Sequence, residues 1–264
     1  MKEITSFQNP SIKNLVLLQS KSKARRDQNV FLVEGQQEVE LCISGGFELI
    51  EVYFCPDYIS LEQVEALVNS TEIMLNSVPQ KIYRKIAYRG STEGFVAVVK
   101  NKPNHFQNLD LTIQNPLILV AEAPEKPGNI GALLRTADAC GADAVLIADL
   151  KTDLYHPNII RSSVGTVFTN QIGLGTSEEI IQFLKFNNIR IFCAILQEAK
   201  DYTLVDYTGA TAVVMGTESA GLTEVWREAS DQNIIIPMQG KVDSMNVSVA
   251  SGILLFEAVR QRKQ

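Results

Sequence analysis

The sequence predicts an α/β protein of two domains, because short apolar strands alternate with helical segments along the whole chain. In the second half the strands are continuous apolar runs, which is typical of a parallel sheet covered by helices on both faces. A polar stretch between Lys100 and Asn115 contains Pro103, shows no sustained hydrophobic period and interrupts the alternation. We therefore predict a domain boundary there, with domains at residues 1–105 and 106–264.

The first domain is predicted to be a small α/β unit. Its first helix shows apolar residues at helical spacing, and a basic, polar connecting segment, SKSKARRDQN, separates this helix from the first strand. The predicted elements are a helix in PSIKNLVLLQ, a strand in VFLVEG, a helix in QQEVELCIS, a strand in LIEVYFC, helices in LEQVEALVNS and KIYRKIAY, and a strand in GFVAVVK.

The second domain continues the alternation with longer apolar strands. Its predicted elements are a strand in PLILVAEA, a helix in NIGALLRTADAC, a strand in ADAVLIA, helices near PNIIRSSVG and in SEEIIQFLKFN, strands in IRIFCAIL and TAVVMG, a helix in LTEVWREAS, a strand in NIIIPM and a helix in NVSVASGILLFEAVRQRK.

Composition excludes several classes of protein. With 45% hydrophobic and 20% charged residues, the chain of 264 residues is able to bury a sizeable core. Its apolar runs are far shorter than the roughly 20 residues that cross a bilayer. The first residues also lack the apolar core and cleavage site of a secretory signal. These features predict a cytoplasmic protein with no membrane partner.

Cysteine and histidine usage argues against metal and triad chemistry. The four cysteines are widely spaced without a CxxC pair and lie in apolar surroundings, so we predict buried free thiols. The only histidines are His105 and His156. Such a composition predicts no metal site and offers little material for a histidine-based nucleophilic triad.

Charge is distributed unevenly on a chain whose net charge is −6. Residues 1–26 contain six basic residues against one acidic residue, and residues 81–102 contain the same numbers. Local basic surfaces of this kind are compatible with RNA binding, because cationic side chains neutralise phosphates. An ordinary solvated surface explains the charges equally well.

Three segments after strands in the second half carry residues suited to ligand binding, which in open α/β sheets occurs beyond the carboxyl ends of the strands. The first, PGNIGALLRTADACGAD, leads from a Pro/Gly loop into a helix and contains Asn129 and Arg135. It lacks the GxGxxG and GxxxxGK[ST] fingerprints, so ordinary nucleotide-binding motifs are not supported. Taken alone, Asn129 as a helix cap and Arg135 as a surface charge are equally good interpretations.

The other two segments are also polar and glycine-containing. GTESAGL offers turns at Gly216 and Gly221 with the Glu218 carboxylate between them, although a glycine-rich loop with a solvated charge is the simpler interpretation. The third segment is SMNVSVASGILLFE, and either Ser244 or the preceding Asp243 is predicted to begin the last helix, with polar side chains in its first turn. Capping explains part of this concentration of polar residues, but not all of it.

Together, and in this order, the three segments resemble the motifs of the SpoU/TrmH branch of the SPOUT methyltransferases, over residues from about 116 to 262. The resemblance implies a trefoil-knotted α/β domain, a homodimer, and methyl transfer from S-adenosylmethionine to a ribose 2'-hydroxyl of RNA. The cofactor is expected to lie bent among the knot loops, held mainly by backbone groups. No DNA partner is expected.

The resemblance also implies roles for individual residues. The catalytic positions are Arg135, Asn129, Glu218, Ser244 and Asn246. The cofactor-binding positions are Ala194, Ile195, Leu196, Gly216, Gly221, Ile236, Met238, Met245 and Ser248. Because an arginine is effectively always protonated in proteins, we expect Arg135 to orient the RNA and to stabilise the developing alkoxide rather than to act as a base.

The N-terminal half resembles the substrate-binding domain of SpoU-type rRNA methyltransferases, which is related to a ribosomal protein fold, on SFQNPSIKNLVLLQ and VFLVEGQQEVELCISGG. This favours rRNA as the substrate, with phosphate contacts in SKSKARRDQN and at Arg84, Lys85 and Arg89, and an RNA contact at Arg161. The alternatives are a tRNA 2'-O-methyltransferase, a catalytically inactive RNA-binding or ribosome-assembly protein, and a dinucleotide-dependent oxidoreductase.

Overall fold

A computed structural model describes residues 1–68, 73–88, 93–217 and 220–263. The chain forms two compact units, Met1–Pro103 with Asp153–Thr169, and Asn104–Thr152 with Asn170–Gln264. The segment Asp153–Thr169, from the second half of the chain, packs within the first unit.

The elements alternate along the chain as the sequence pattern indicates. Those up to residue 100 are β1 (Lys2–Glu3), α1 (Pro10–Ser20), α2 (Ser22–Gln28), β2 (Val30–Glu34), α3 (Gln36–Ser44), β3 (Leu49–Phe54), α4 (Leu61–Val68), β4 (Met74–Ser77), α5 (Gln80–Ile86) and β5 (Phe95–Lys100). The later ones are β6 (Leu117–Glu122), α6 (Pro127–Cys140), β7 (Ala144–Ala148), α7 (Pro157–Ser162), β8 (Ile172–Gly175), α8 (Ser177–Phe186), β9 (Arg190–Ala194), β10 (Lys200–Asp201), β11 (Thr211–Met215), α9 (Glu224–Ala229), β12 (Gln232–Ile235) and α10 (Val247–Arg262). In the described part of the chain, no helix has the length and apolarity to cross a membrane.

The second unit contains the predicted parallel sheet. Its seven strands in the described residues follow the order β10-β12-β9-β11-β6-β7-β8, and each strand is parallel to its neighbours in this order. On one face, Ile118 and Val120 of β6 form a core cluster with Leu184 of α8 and Trp226 of α9. Helices α6 and α10 pack against each other and against β7 and β11. The α/β fold with a parallel sheet is therefore confirmed.

The first unit contains a smaller mixed sheet. Its described strands follow the order β1-β4-β3-β5-β2, with β3 and β2 antiparallel to β5 and with β4 parallel to its neighbours. The segment SKSKARRDQN, predicted as a connection, instead forms α2, which ends at Asn29 in the left-handed conformation. The basic side chains of this segment lie on a helix, where successive residues point in different directions.

Four short strands were not predicted from the sequence, namely β1, β4, β8 and β10. The β8 segment, Ile172–Gly175, contains two glycines, which have a low strand propensity. A Cβ atom at Gly173 would lie 2.7 Å from the Phe106 Cα, so a glycine is required by the close approach of another backbone. Tertiary packing, rather than strand propensity, places this segment at the edge of the sheet.

Aromatic stacking holds the Asp153–Thr169 segment within the first unit. The Tyr155 ring stacks on Phe31 of β2 with a centroid distance of 4.2 Å, and the Phe168 ring lies 5.8 Å from the Phe31 centroid. The Phe168 ring also meets Phe47 edge-on at 5.2 Å. Tyr155 and Phe168 come from the second half of the sequence, yet their rings bury a large apolar area within the first unit.

An ion pair fastens the same segment to α2. Arg25 is 3% exposed, its Nε donates to Asp153 Oδ2 at 2.5 Å, and its Nη1 donates to the Leu18 carbonyl. The prediction of phosphate contacts throughout SKSKARRDQN is therefore wrong at Arg25, because its guanidinium is buried and paired. The neighbouring Lys23 and Arg26 are exposed.

The four cysteines are free and buried, as predicted from their apolar surroundings. Burial raises the pKa of Cys42 to about 12, although the charge of Lys102 opposes the shift. This thiol therefore stays protonated and behaves as a small apolar side chain.

His156 should make the stability of the fold depend on pH. Its Nδ1 accepts a hydrogen bond from the Asn158 N–H and so caps α7. Burial, followed by the charge of Arg25, lowers the pKa of His156 below its usual 6.5. Because the unfolded chain then binds a proton more readily than the fold does, stability falls as the pH drops below about 7. Urea unfolding at pH 7.5 and pH 5.5 measures the difference.

The matched variant is His156→Asn, since asparagine also caps helices but does not titrate. We expect the loss of stability between the two pH values to be smaller in this variant than in the parent. An equal loss in both proteins would show that other groups cause the pH dependence.

Candidate functional site

A cleft of about 490 Å³ lies in the second unit, beyond the carboxyl ends of β9, β11 and β12. The three polar segments singled out in the sequence meet there. The residues that line it are Lys126, Asn129, Ala194, Ile195, Leu196, Gln197, Met215, Gly216, Thr217, Ala220, Gly221, Leu222, Arg227, Ile234, Ile235, Ile236, Met238, Asp243, Ser244, Met245, Asn246, Val247, Ala250 and Leu254.

The first and third segments are joined by a hydrogen bond between two amide side chains. Asn129 lies in the first turn of α6, and its Oδ1 accepts from Asn246 Nδ2 at 3.2 Å. Asn246 is the N-cap of α10, where its Oδ1 accepts from the Ser248 N–H at 2.9 Å and from the Ser248 hydroxyl at 2.6 Å. These bonds orient both amides at the rim of the cleft.

The third segment differs in one detail from the prediction. The last helix begins after Asn246, and not at Asp243 or Ser244. Asparagine is a favoured N-cap, and the Asn246 side chain reaches the amide two residues on. Asp243 and Ser244 instead lie in the exposed stretch before the helix, where the Ser244 hydroxyl donates to Asp243 Oδ1 at 3.3 Å.

The second segment forms a loop between β11 and α9. It begins at Gly216 with φ +147° and passes through Gly221 with φ +74°, conformations that favour glycine. The Thr217 hydroxyl accepts from the Ala220 N–H at 3.1 Å and donates to the Gly221 carbonyl at 3.2 Å. Glu218, predicted as catalytic, lies outside the described residues.

Most of the described residues predicted for the site line this one cleft. They are Asn129, Ala194, Ile195, Leu196, Gly216, Gly221, Ile236, Met238, Ser244, Met245 and Asn246. Two described positions are absent from the lining. Arg135 is exposed on α6, and Ser248 contacts Asn246 through the hydrogen bonds above.

Further lining residues were missed by sequence reasoning. Lys126 and Arg227 place cationic side chains at the cleft, and Gln197 and Thr217 add polar groups. Lys126 directly precedes the first motif segment, and Thr217 lies within the second. Their positions in the sequence could therefore have identified them. Arg227 lies within the predicted helix LTEVWREAS and gives no comparable signal.

The cysteine in β9, next to the cleft, offers no nucleophile. Burial raises the pKa of Cys193 to about 12, and its Sγ donates to the Trp226 carbonyl at 3.4 Å. Since the thiolate is the nucleophilic form, covalent thiol chemistry is disfavoured at this position. The cleft therefore offers amide, hydroxyl and cationic groups among apolar side chains.

Comparison of the sequence with models of protein families assigns the chain to a family. The model of the SpoU rRNA Methylase family matches residues 116–256, more than half of the 264 residues. The chain belongs to the SpoU rRNA methylase family. In this SpoU protein the matched range contains every residue that lines the cleft. A second model, the MRM3-like substrate binding domain, matches residues 9–97.

Curated relatives resemble the SpoU chain over much of its length. The 23S rRNA (guanosine(2553)-2'-O)-methyltransferase RlmP of Bacillus subtilis is 27% identical, over 97% of this chain and 98% of the relative. The 23S rRNA (guanosine-2'-O-)-methyltransferase RlmB of Vibrio vulnificus is 33% identical, over 72% of this chain and 79% of the relative.

Solved structures also resemble the chain from end to end. An RNA 2'-O ribose methyltransferase is 35% identical, with a TM-score of 0.86 over 99% of this chain and 100% of that chain. An AdoMet-bound rRNA methyltransferase from Sinorhizobium meliloti is 27% identical, with a TM-score of 0.89 over 98% of this chain and 97% of that chain.

Proposed function

We propose that this SpoU protein transfers a methyl group from S-adenosylmethionine to a ribose 2'-hydroxyl of ribosomal RNA. The observation that carries the proposal is the convergence of three motif segments, far apart in sequence, on one cleft at the carboxyl ends of parallel strands. The relatives named as 23S rRNA 2'-O-methyltransferases support both the reaction and the substrate class.

The cleft suits S-adenosylmethionine in size and in chemistry. Its volume of about 490 Å³ falls in the usual range for small-molecule sites, about 300–1,000 Å³. Apolar side chains such as Leu196, Ile236 and Met245 offer contacts to an adenine ring, and a Cβ atom at Gly221 would meet nothing within 4 Å. When bound, the cofactor supplies an electrophilic methyl group.

The chain's own residues align and activate the ribose. Asn129 and Asn246 hold each other in fixed orientations, so their remaining polar groups are preorganised to position a hydroxyl, and Ser244 lines the same cleft. Arg135 carries a fixed positive charge that stabilises negative charge developing on the ribose oxygen. Glu218 completes the proposed catalytic set.

We propose that the active form is a homodimer. Arg135 is exposed on α6 and does not line the cleft of its own chain, while α10, which packs on α6, exposes Val249 and Phe256. A second chain that covers this surface would bury apolar area and bring an arginine to each cleft. The proposal includes the trefoil knot, and also a cytoplasmic location for an enzyme that acts on ribosomal RNA.

We assign RNA recognition to the N-terminal domain, with residues 1–105 binding substrate and residues 106–264 acting as the catalytic domain. Several basic side chains of this domain contact other groups of the protein, which makes them weaker candidates for phosphate contacts. Lys102 Nζ donates to the Gly45 carbonyl at the end of α3, and Lys100 pairs with Glu48 at 3.0 Å. Lys85 lies over the Phe7 ring, and Arg84 Nη2 approaches the Tyr58 hydroxyl at 3.3 Å. Arg89 lies outside the described residues.

Exposed cations on and beside α2 are the stronger candidates for phosphate contacts. Replacing Lys21, Lys23 and Arg26 together by alanine should weaken RNA binding and flatten its dependence on salt, by about 0.7–0.9 in log–log slope for each lost contact. Filter binding at several salt concentrations measures the slope. Lys102→Ala is the control, and its slope should match that of the parent. Unchanged binding by the triple variant would exclude this surface.

Gly216→Ala should weaken cofactor binding. The residue has φ +147°, and an added Cβ would lie 2.5 Å from the Glu122 carbonyl oxygen, so the loop after β11 must shift. We expect a rise in the dissociation constant of S-adenosylmethionine of at least about tenfold, measured by calorimetry.

Gly209→Ala, at the other end of β11, is the matched control, because an added Cβ there meets nothing within 4 Å. It should bind the cofactor as the parent does. Equal affinities for Gly216→Ala and the parent would remove this loop from the proposed cofactor site.

The reaction is tested by incubating the protein with S-adenosylmethionine carrying a labelled methyl group and with unmodified 23S rRNA or bulk tRNA. Label in rRNA supports the proposal. Label in tRNA alone favours the tRNA enzyme, and binding of RNA and cofactor without label favours a catalytically inactive RNA-binding protein. Binding of NAD without binding of S-adenosylmethionine would favour an oxidoreductase.

A further inference from the structure

A buried carboxylate connects the end of a central strand to the loop that lines the cleft. Glu122 is the last residue of β6 and is 3% exposed. Its Oε2 accepts from the Thr223 N–H at 3.0 Å, and its Oε1 accepts from the Thr223 hydroxyl at 2.5 Å. Thr223 closes the loop between β11 and α9.

The same residue also contacts the beginning of that loop. An added Cβ at Gly216 would lie 2.5 Å from the Glu122 carbonyl oxygen and 2.9 Å from the Glu122 Cβ. Glu122 therefore touches both ends of the loop, at Gly216 through its main chain and Cβ, and at Thr223 through its carboxylate. Between these ends, Thr217, Ala220 and Gly221 line the cleft.

These contacts fix the positions of Gly216 and Thr223, where the loop begins and ends. A buried carboxylate is costly unless it is hydrogen-bonded, and Thr223 supplies both a main-chain and a side-chain donor. Thr223 occupies the N-cap of α9 without a side-chain capping bond, and its hydroxyl is directed to Glu122 instead. The Thr223 hydroxyl therefore binds Glu122 rather than capping α9, and this contact holds the end of the loop in place.

We propose that Glu122 is a positioning residue for the cofactor. By setting the distance between Gly216 and Thr223, it holds Thr217, Ala220 and Gly221 in positions that bind S-adenosylmethionine, without touching the cofactor itself. This inference rests on the proposed function, since it concerns the same cleft and the same ligand. It assigns a role to a residue outside the three motif segments.

The experiment compares Glu122→Gln, Thr223→Val and the double variant by calorimetry with S-adenosylmethionine and with S-adenosylhomocysteine. The side chain of Glu122→Gln is neutral: its oxygen can accept from the Thr223 N–H, while its NH2 group can only donate to the Thr223 hydroxyl, so both hydrogen bonds to a charged acceptor are lost. We expect each single variant to bind both ligands about tenfold more weakly, in line with the loss of a hydrogen bond to a charged group. Because the two residues act as one unit, the double variant should be little worse than the weaker single variant.

A structurally matched control is available at β7. Asp149 follows this strand, and its Oδ2 accepts from the Ser177 hydroxyl at 2.7 Å and from the Ser177 N–H at 3.2 Å, at the start of α8. Asp149→Asn disturbs the same kind of carboxylate contact away from the cleft lining. It should lower the melting temperature yet leave the dissociation constants within about twofold of the parent.

A kinetic measurement separates positioning from general damage. In methyl transfer, Glu122→Gln and Thr223→Val should raise the KM for S-adenosylmethionine while kcat at saturating cofactor stays near that of the parent. A merely structural role would lower the melting temperature without this change in KM.

The possible outcomes are distinct. If the parent protein binds S-adenosylmethionine and Glu122→Gln binds it equally well, the inference is wrong while the proposed function stands. Equal weakening by Asp149→Asn would also overturn the inference, because any loss of stability would then suffice. If the parent binds no S-adenosylmethionine, the proposed function fails and this role fails with it. Should Glu122→Gln not fold, Thr223→Val alone decides.

Discussion

Arg135→Ala should lower the rate of methyl transfer by about 10²–10³-fold, the usual cost of removing one group that stabilises transition-state charge. The affinity for S-adenosylmethionine should not change, because Arg135 does not line the cofactor cleft of its own chain and its proposed role is at the ribose oxygen of the RNA. Single-turnover methylation of unmodified rRNA measures the rate, and calorimetry measures the affinity.

Two controls sharpen this expectation. Lys185→Ala removes another exposed cation, at the end of α8, and should keep the parent rate. Arg135→Lys retains the charge but not the planar guanidinium, so partial activity would indicate a role in charge stabilisation rather than in bidentate orientation. Near-parent activity of Arg135→Ala with intact cofactor binding would exclude a catalytic role.

Arg135→Ala also tests whether each active site combines residues of two chains. Co-expression of Arg135→Ala with Gly216→Ala yields mixed dimers in which one cleft can combine an intact cofactor loop with an intact arginine from the partner subunit. At a cofactor concentration near the dissociation constant of the parent, we expect the mixed protein to be more active than either variant alone. A mass of 29.2 kDa in solution, that of a single chain, would contradict the homodimer.

Arg25→Ala should destabilise the protein by about 3–5 kcal/mol, the usual cost of leaving one partner of a buried ion pair unpaired. The side chains of Arg25 and Asp153 are 4% and 12% exposed, and Arg25 also donates to the Leu18 carbonyl. Loss of the guanidinium therefore leaves a nearly buried carboxylate and a carbonyl without these donors. Urea unfolding followed by the fluorescence of Trp226, the single tryptophan, and by circular dichroism measures the change.

Lys100→Ala provides the comparison, because it breaks an ion pair whose side chains are 54% and 66% exposed. Its expected cost is below about 1 kcal/mol, since exposed pairs are weakened by solvent. Similar costs for the two variants would mean that burial of Arg25 does not set the strength of its contacts.

The sequence was most informative where chemistry is concentrated in short segments. Asn129, Gly216 and Asn246 occur in motifs whose residue types and order are specific, and the structure gathers these motifs at one cleft. The parallel sheet was predictable for a similar reason, because the runs LILVA in β6 and AVLIA in β7 are apolar at every position and can be buried on both faces.

The sequence pattern could not predict contacts between residues that are far apart along the chain. Nothing in the local pattern links Glu122 to Thr223, which is 101 residues away, or Arg25 to Asp153, which is 128 residues away. A charged side chain is usually exposed, so Arg25 was interpreted as a surface cation. The Asp153–Thr169 segment packs in the first unit through aromatic side chains, and local periodicity does not specify the partners of such side chains.

The central claim is tested most directly by the chemical identity of the methylated product. Unmodified 23S rRNA is incubated with the protein and labelled S-adenosylmethionine, digested to nucleosides and separated by mass spectrometry. The account predicts label in one 2'-O-methylated nucleoside, absent when Arg135→Ala replaces the parent protein. Label on a base, or no label in any nucleoside while the cofactor and the RNA are both bound, would contradict it.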